Sequence, residues 1–145
     1  MDSNLTSRYN EDAQYKAISG TLGKDSKIHD IWVQHFEVGM WIGDYDQTGN
    51  MKYTDGLVVE NARIRNNLAD GINFAQGTKN STVKNSNIRG NGDDGLAIWS
   101  SISDGTNAAA EENNKFLNNT IESGWRAAGI GIFGGKGHEI SGNLI

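Results

Sequence analysis

The sequence predicts an all-β chain, a right-handed parallel β-helix with about 24 residues per coil. Three observations carry this. The composition is rich in Gly and Asn, lacks Pro and is only 36% apolar. The chain repeats itself at a fixed interval. Its apolar residues alternate within short runs, the period of a strand.

Composition comes first. An apolar share of 36% is low for a compact globule. Low hydrophobicity alone would also fit a disordered chain, but here the apolar residues are spaced too regularly. A solenoid reconciles the two facts, because it buries a narrow column and leaves most other side chains outside.

The repeat is read by placing DGLVVENARIRNNLADGINFA (residues 55–75) above KNSTVKNSNIRGNGDDGLAIW (residues 79–99). Val59 then falls on Val83, Asn61 on Asn85, Ile64 on Ile88 and Asn67 on Asn91. Asp70 falls on Asp94, Gly71 on Gly95, Ile72 on Leu96 and Phe74 on Ile98, every pair 24 residues apart. Extended in both directions, the first apolar position recurs at 33, 59, 83, 116 and 140, with a second one five residues later. A period in the low twenties with period-2 strands indicates a β-solenoid. Helical repeats need longer periods, and the Leu consensus of leucine-rich repeats is absent. The solenoid expected is single-stranded and of the pectate-lyase type.

Several local features follow from that alignment. Asn61, Asn85 and Asn118 share one register, with His35 in the same slot one coil earlier, and are expected to form a structural ladder between coils. The interval of 33 residues between Val83 and Phe116 marks an insertion, placed in a loop at about 101–113. Residues 43–54 form another loop, so the first coil reads as short in its middle and long at its end. AISGTLG supplies a strand of a preceding coil. The chain stops within a coil and shows no polar cap, so 1–145 is read as one β-helix segment of a longer catalytic domain.

Charge and cysteine content limit the function. A formal net charge of -5 makes nucleic acid an unlikely partner and favours a neutral one. With no Cys, disulfides and thiolate zinc sites are excluded. No apolar run spans a bilayer, and the polar start lacks a secretory h-region. The protein therefore either stays inside the cell or continues beyond this chain. A monomer is expected.

Three carboxylates carry the chemistry: Asp70, Asp93 and Asp94. Stacked strands lie about 4.8 Å apart, so Asp70 and Asp94, in one register, should be neighbours, with Asp93 beside them. Three such acids repel, at least one should have a raised pKa, and they should titrate as a set. Folding does not need this cluster, which points to a site. Two structural explanations compete with it. Asp before Gly is common turn chemistry, the reading given to Asp55–Gly56 and Asp104–Gly105. Clustered acids also bind structural calcium. A second adjacent acid exceeds what a turn requires.

Around the acids, Met40 and Ile42, Ile72 and Phe74, Leu96 and Ile98, and Ile130 and Ile132 should point inward. Trp41, Asn73, Ala97, Trp99 and Phe133 then point out. An aromatic ring beside acids can stack on a sugar, whose face is apolar and rim polar. Paired carboxylates with flanking aromatics and no metal-ligand pattern suggest glycoside hydrolysis without a cofactor. Lys136 and Arg126, in coils beyond the acids, are further candidates for touching a polysaccharide. Trp32 and Trp125 receive no role. His29, His35 and His138 show no metal spacing. A polygalacturonase or lyase would want a basic groove, which the net charge disfavours; a dextranase-like enzyme stays open. A non-catalytic β-helix, such as an adhesin segment, would not need three clustered acids.

The stretch ADGINFAQGTKNSTVKNSNIRGNGDDGLAIWSS (residues 69–101) resembles the catalytic core of glycoside hydrolase family 87, the bacterial α-1,3-glucanases and mycodextranases. Residues 20–45 and 129–145 resemble flanking coils. The pairing of DGINF with GDDGLAIW at this spacing is the specific part. The resemblance implies a secreted, inverting endo-hydrolase of α-1,3-glucan. It also implies that Asp93 is the general acid and that Asp70 and Asp94 hold and activate water. Strand alternation between Asp93 and Asp94 would separate the acid from the base by the roughly 6.5–9.5 Å that inversion requires.

Overall fold

The computed structural model describes residues 1–4, 10, 15–43, 52–100 and 109–145. A lead strand β1 (Lys16–Gly20) precedes the first full coil, β2 (Lys27–His29), β3 (Trp32–Gln34) and β4 (Val38–Ile42). The second coil is β5 (Val58–Glu60), β6 (Arg63–Arg65) and β7 (Ile72–Ala75). The third is β8 (Thr82–Lys84), β9 (Asn87–Arg89) and β10 (Leu96–Trp99). The fourth is β11 (Lys115–Leu117), β12 (Thr120–Glu122) and β13 (Ile130–Phe133), and β14 (Glu139–Ser141) opens a fifth.

Each strand pairs in parallel with its counterpart one coil away, which makes three sheets: β1-β4-β7-β10-β13, β2-β5-β8-β11-β14 and β3-β6-β9-β12. This is the parallel β-helix expected, with the right hand that parallel connections take. One apolar residue per short strand faces the axis. Val59, Val83 and Phe116, then Val33, Ile64 and Ile88, are fully buried, as are Met40, Ile72 and Leu96.

The first coil is in a different register from the one expected. Val33 pairs with Ile64, and Val59 pairs with Ile28. The five-residue apolar spacing occurs twice in succession here, at Ile28, Val33 and Val38, so the sequence alone admits two alignments. Pairing selects the earlier one, because Val38 begins β4, whose Met40 and Ile42 stack on Ile72 and Phe74. The coil is short in its middle by one residue, with 7 from Val33 to Met40 against 8 from Ile64 to Ile72. From Ile28 to Val59 it spans 31 residues, the excess falling in the loop after β4. Residues 44–51 of that loop and 101–108 of the second insertion lie outside the described residues.

The asparagine ladder also differs from expectation. Asp30, Asn61, Asn85 and Asn118 share a corner, and all have positive φ, between 51° and 54°. Asn and Asp tolerate this left-handed conformation where most residues do not, so backbone geometry explains the recurrence. His35 belongs to the next corner, with Asn66, Gly90 and Ser123, all at positive φ. The buried side-chain ladders sit one residue further on. Asn67 donates its N–H and its Nδ2 to Asn91 Oδ1, at 3.1 and 2.9 Å. Ser86 N–H donates to Asn119 Oδ1 at 3.0 Å, and Asn119 N–H to Asn143 Oδ1 at 2.9 Å. These bonds satisfy corner amides that no strand can reach.

Candidate active site

Gly39, Gly71, Gly95 and Gly129 hold one register, Gly39 second in β4 and the others just before β7, β10 and β13, and at this corner the chain passes close to the inner wall. A Cβ on Gly71 would lie 2.8 Å from Ile88 Cγ2 and 2.9 Å from Asn91 Nδ2. Glycine is required there, and it turns the preceding residue outward. Backbone bonds from Gly39 N–H to Asp70 O and from Gly71 N–H to Asp94 O lock the stack at 3.0 and 2.9 Å. The preceding residues therefore form a column of their own: Val38, Asp70, Asp94 and Ala128.

Asp93 stands in the turn before Asp94, and its N–H donates to Ala69 O at 3.2 Å. One oxygen from each of Asp70, Asp93 and Asp94 lies within 4.8 Å of the others. Asp93 belongs to a turn and not to a strand, so strand alternation does not set its direction. N–H groups hold the cluster together. Asp70 Oδ1 accepts from Asp94 N–H at 3.1 Å, and Asp70 Oδ2 accepts from Asn73 Nδ2 at 2.8 Å. Asp94 Oδ1 accepts from Ala128 N–H at 2.9 Å. Three carboxylate oxygens thus accept from N–H donors, and each keeps a second lone pair for a proton or a cation.

The electrostatics follow. Burial pushes the Asp70 carboxyl up to about 6; Asp93 and Asp94 add to the rise, and the Asn73 bond opposes it. Asp94 is also raised, by burial first and by Asp93 second, against the Ala128 bond. Asp93 is the most exposed of the three.

The acids open into a cleft of about 330 Å³ lined by Trp41, Asp70, Asn73, Asp93, Asp94, Trp99 and Phe133. The three acids and four of the outward residues expected beside them, Trp41, Asn73, Trp99 and Phe133, thus share one cleft. Trp41, Asn73, Ala97 and Gly131 form one outward column, and Ala75, Trp99 and Phe133 the next. Trp41 is only 9% exposed, packed edge-on to Trp99 with ring centroids 5.5 Å apart. Phe133 is 52% exposed at the rim. Lys136 is not in the cleft; it is on the surface with Nζ 3.0 Å from Glu112 Oε1. Arg126 lies in an adjoining cleft with Glu37, Leu68 and Ala69, its Nε donating to Gly92 O at 3.2 Å. Its guanidinium lies 5.0 Å from the Trp125 ring centroid.

Two contributors were missed from the sequence. Ala128 acts through its backbone N–H, which leaves no signal in a side-chain reading. Gly131 matters by what it omits: a Cβ there would lie 2.6 Å from Asp94 Oδ2. Its place in the Trp41–Asn73–Ala97 column was the available clue. Trp32, unassigned before, lies on another face with Arg63 and Arg65 at 5.6 and 5.3 Å from its ring centroid.

The model of the family described as alpha-1,3-glucanase catalytic domain D2 matches residues 3–144. The chain belongs to this family. Among solved structures, the D2 chain is similar to the catalytic domain of Agl-KA, at 59% identity and a TM-score of 0.90, over 99% of this chain and 24% of that one. It is also similar to the catalytic domain of a GH87 alpha-1,3-glucanase in complex with tetrasaccharides, at 25% identity and a TM-score of 0.61, over 81% of this chain and 19% of that one. The D2 chain thus spans about a quarter or less of the solved chains it matches. No curated protein sequence matches it.

Proposed function

We propose that the D2 chain carries the catalytic cleft of an endo-acting glycoside hydrolase that cleaves α-1,3-glucan with inversion. The observation that carries the proposal is the gathering of Asp70, Asp93 and Asp94 beside Trp99 and Phe133 in one cleft. Family membership and the tetrasaccharide complex of a related enzyme support the substrate class.

In this reading Asp93, at the open side of the cluster, gives its proton to the glycosidic oxygen as the C1–O bond breaks. Asp70 and Asp94 hold a water on the opposite face, and its proton passes to them as its oxygen bonds to C1. A base with a pKa near 6 is well placed, since a general base works best when its pKa approaches the working pH. Trp99 and Phe133 would stack on glucosyl faces. A substrate of this size places the activity outside the cell.

A retaining mechanism on the same acids is the alternative; it needs carboxyls about 5–5.5 Å apart, where inversion needs about 6.5–9.5 Å. The product decides between them. In the complete protein, NMR of the first product from α-1,3-glucan should show the β-anomer at the new reducing end. The α-anomer would establish retention. Asp93→Asn should lose reducing-sugar release from glucan but still hydrolyse a glucosyl fluoride, whose leaving group needs no acid. Equal activity of Asp93→Asn on glucan would refute the acid assignment.

A further inference from the structure

We infer that Asn73 is a positioning residue for Asp70: its amide holds the carboxylate in the cleft and does not itself bind glucan. The inference rests on the proposed role of Asp70 in holding water. Asn73 lies on β7 in the outward column between Trp41 and Ala97, where a sugar contact would be expected. Yet its side chain is 5% exposed. Nδ2 is committed to Asp70 Oδ2 at 2.8 Å. An ionised carboxylate only accepts, so this bond fixes which end of the amide faces the acid. The other end, Oδ1, is buried and has no hydrogen-bond partner among the described residues. A carbonyl kept dry and unpaired is unfavourable, and such groups concentrate where function demands an orientation. A hydroxyl of the substrate cannot reach an oxygen that water-sized probes do not touch, and the donor end is occupied.

Asp70 is therefore pinned at both oxygens, by Asn73 Nδ2 and by Asp94 N–H. Its charged surroundings are fixed as well. Asp93 and Asp94 face it from the following coil. On the preceding coil, Glu37 is paired with Lys16 at 3.0 Å. Across the adjoining cleft, Arg126 is held by Gly92 O. Among the side chains that bond to Asp70, Asn73 is the one that stabilises its ionised form against burial and two neighbouring acids.

The test compares wild type, Asn73→Ala and Asn73→Asp in the complete protein on soluble α-1,3-gluco-oligosaccharides. Asn73→Ala should lower kcat about tenfold or more with KM within about twofold. It should also move the acid limb of the kcat profile up by about one pH unit. Asn73→Asp, nearly isosteric, removes the donor and adds a like charge, so its acid limb should move further. A raised KM with kcat and the pH profile unchanged would make Asn73 a sugar contact and overturn the inference, as would no change at all. Carboxyl-carbon NMR titration of Asp70 in wild type and both variants reads the same displacement without turnover. Should wild type release no sugar from α-1,3-glucan, the proposed function fails, and the titration alone still decides the inference.

Discussion

Within one column of equivalent positions, the two central coils and the two flanking coils carry opposite chemistry. Val38, Asp70, Asp94 and Ala128 occupy matching backbone sites, each followed by a glycine and an apolar residue, buried in the first three and partly buried in the fourth. The scaffold does not distinguish them. A site arises where two successive coils place an acid in the slot and a third acid follows from the adjoining turn. The apolar flanks matter too. Val38 is 2% exposed and, with Ala128, leaves the two acids without a countercharge in their own column. That is why burial dominates the rise in Asp70 and Asp94.

The sharpest way to break this comparison is to make a central coil resemble a flanking one. Asp70→Asn should reduce glucan hydrolysis about a thousandfold or more, as loss of a base does, while raising stability near neutral pH. The sign follows from the raised carboxyl. A group whose folded pKa lies above its ordinary value of 3.8 stabilises the fold fully below that value. It loses that contribution as pH rises through about 6. Replacing it should therefore stabilise the protein at pH 7 by up to about 3 kcal/mol, reduced by the loss of one acceptor. Denaturant melts at pH 7 and pH 3.5 check this: the gain should vanish at the lower pH.

Next in size is the glycine that serves both kinds of coil. Gly71→Ala should destabilise by about 1–3 kcal/mol through overpacking against Ile88 and Asn91, measured by thermal melting. Trp99→Ala should raise KM for gluco-oligosaccharides about tenfold, by removal of a stacking face, and lower the melting midpoint by a few degrees as Trp41 loses its edge-on partner. The smallest effect is expected outside the cleft. Lys136→Ala should leave kcat/KM within about twofold, since its ion pair with Glu112 is exposed and such pairs contribute little.

How much was legible in the sequence follows the same division. No insertion separates residues 55–75 from 79–99, so their alignment placed Asp70 over Asp94 and Trp99 beside them. The first coil was misaligned because Ile28, Val33 and Val38 offer the same spacing twice, and only the pairing of β4 with β7 selects between them. The recurring asparagines were visible, and a left-handed backbone conformation accounts for their recurrence. At the site, side chains were found and backbone donors were not: nothing in the letter Ala reveals that the N–H of residue 128 supports Asp94. Strand alternation does not apply to Asp93, which lies in a turn.

The two long intervals of this chain, 31 residues from Ile28 to Val59 and 33 from Val83 to Phe116, leave the parallel sheets at either side paired in step. Both excesses leave the wall that bears the acids at the same edge, after β4 and after β10. Extra chain can therefore be spliced in at that edge without shifting the rungs, so grafting differing segments there is a route to altered polymer preference that leaves the reacting groups where they are.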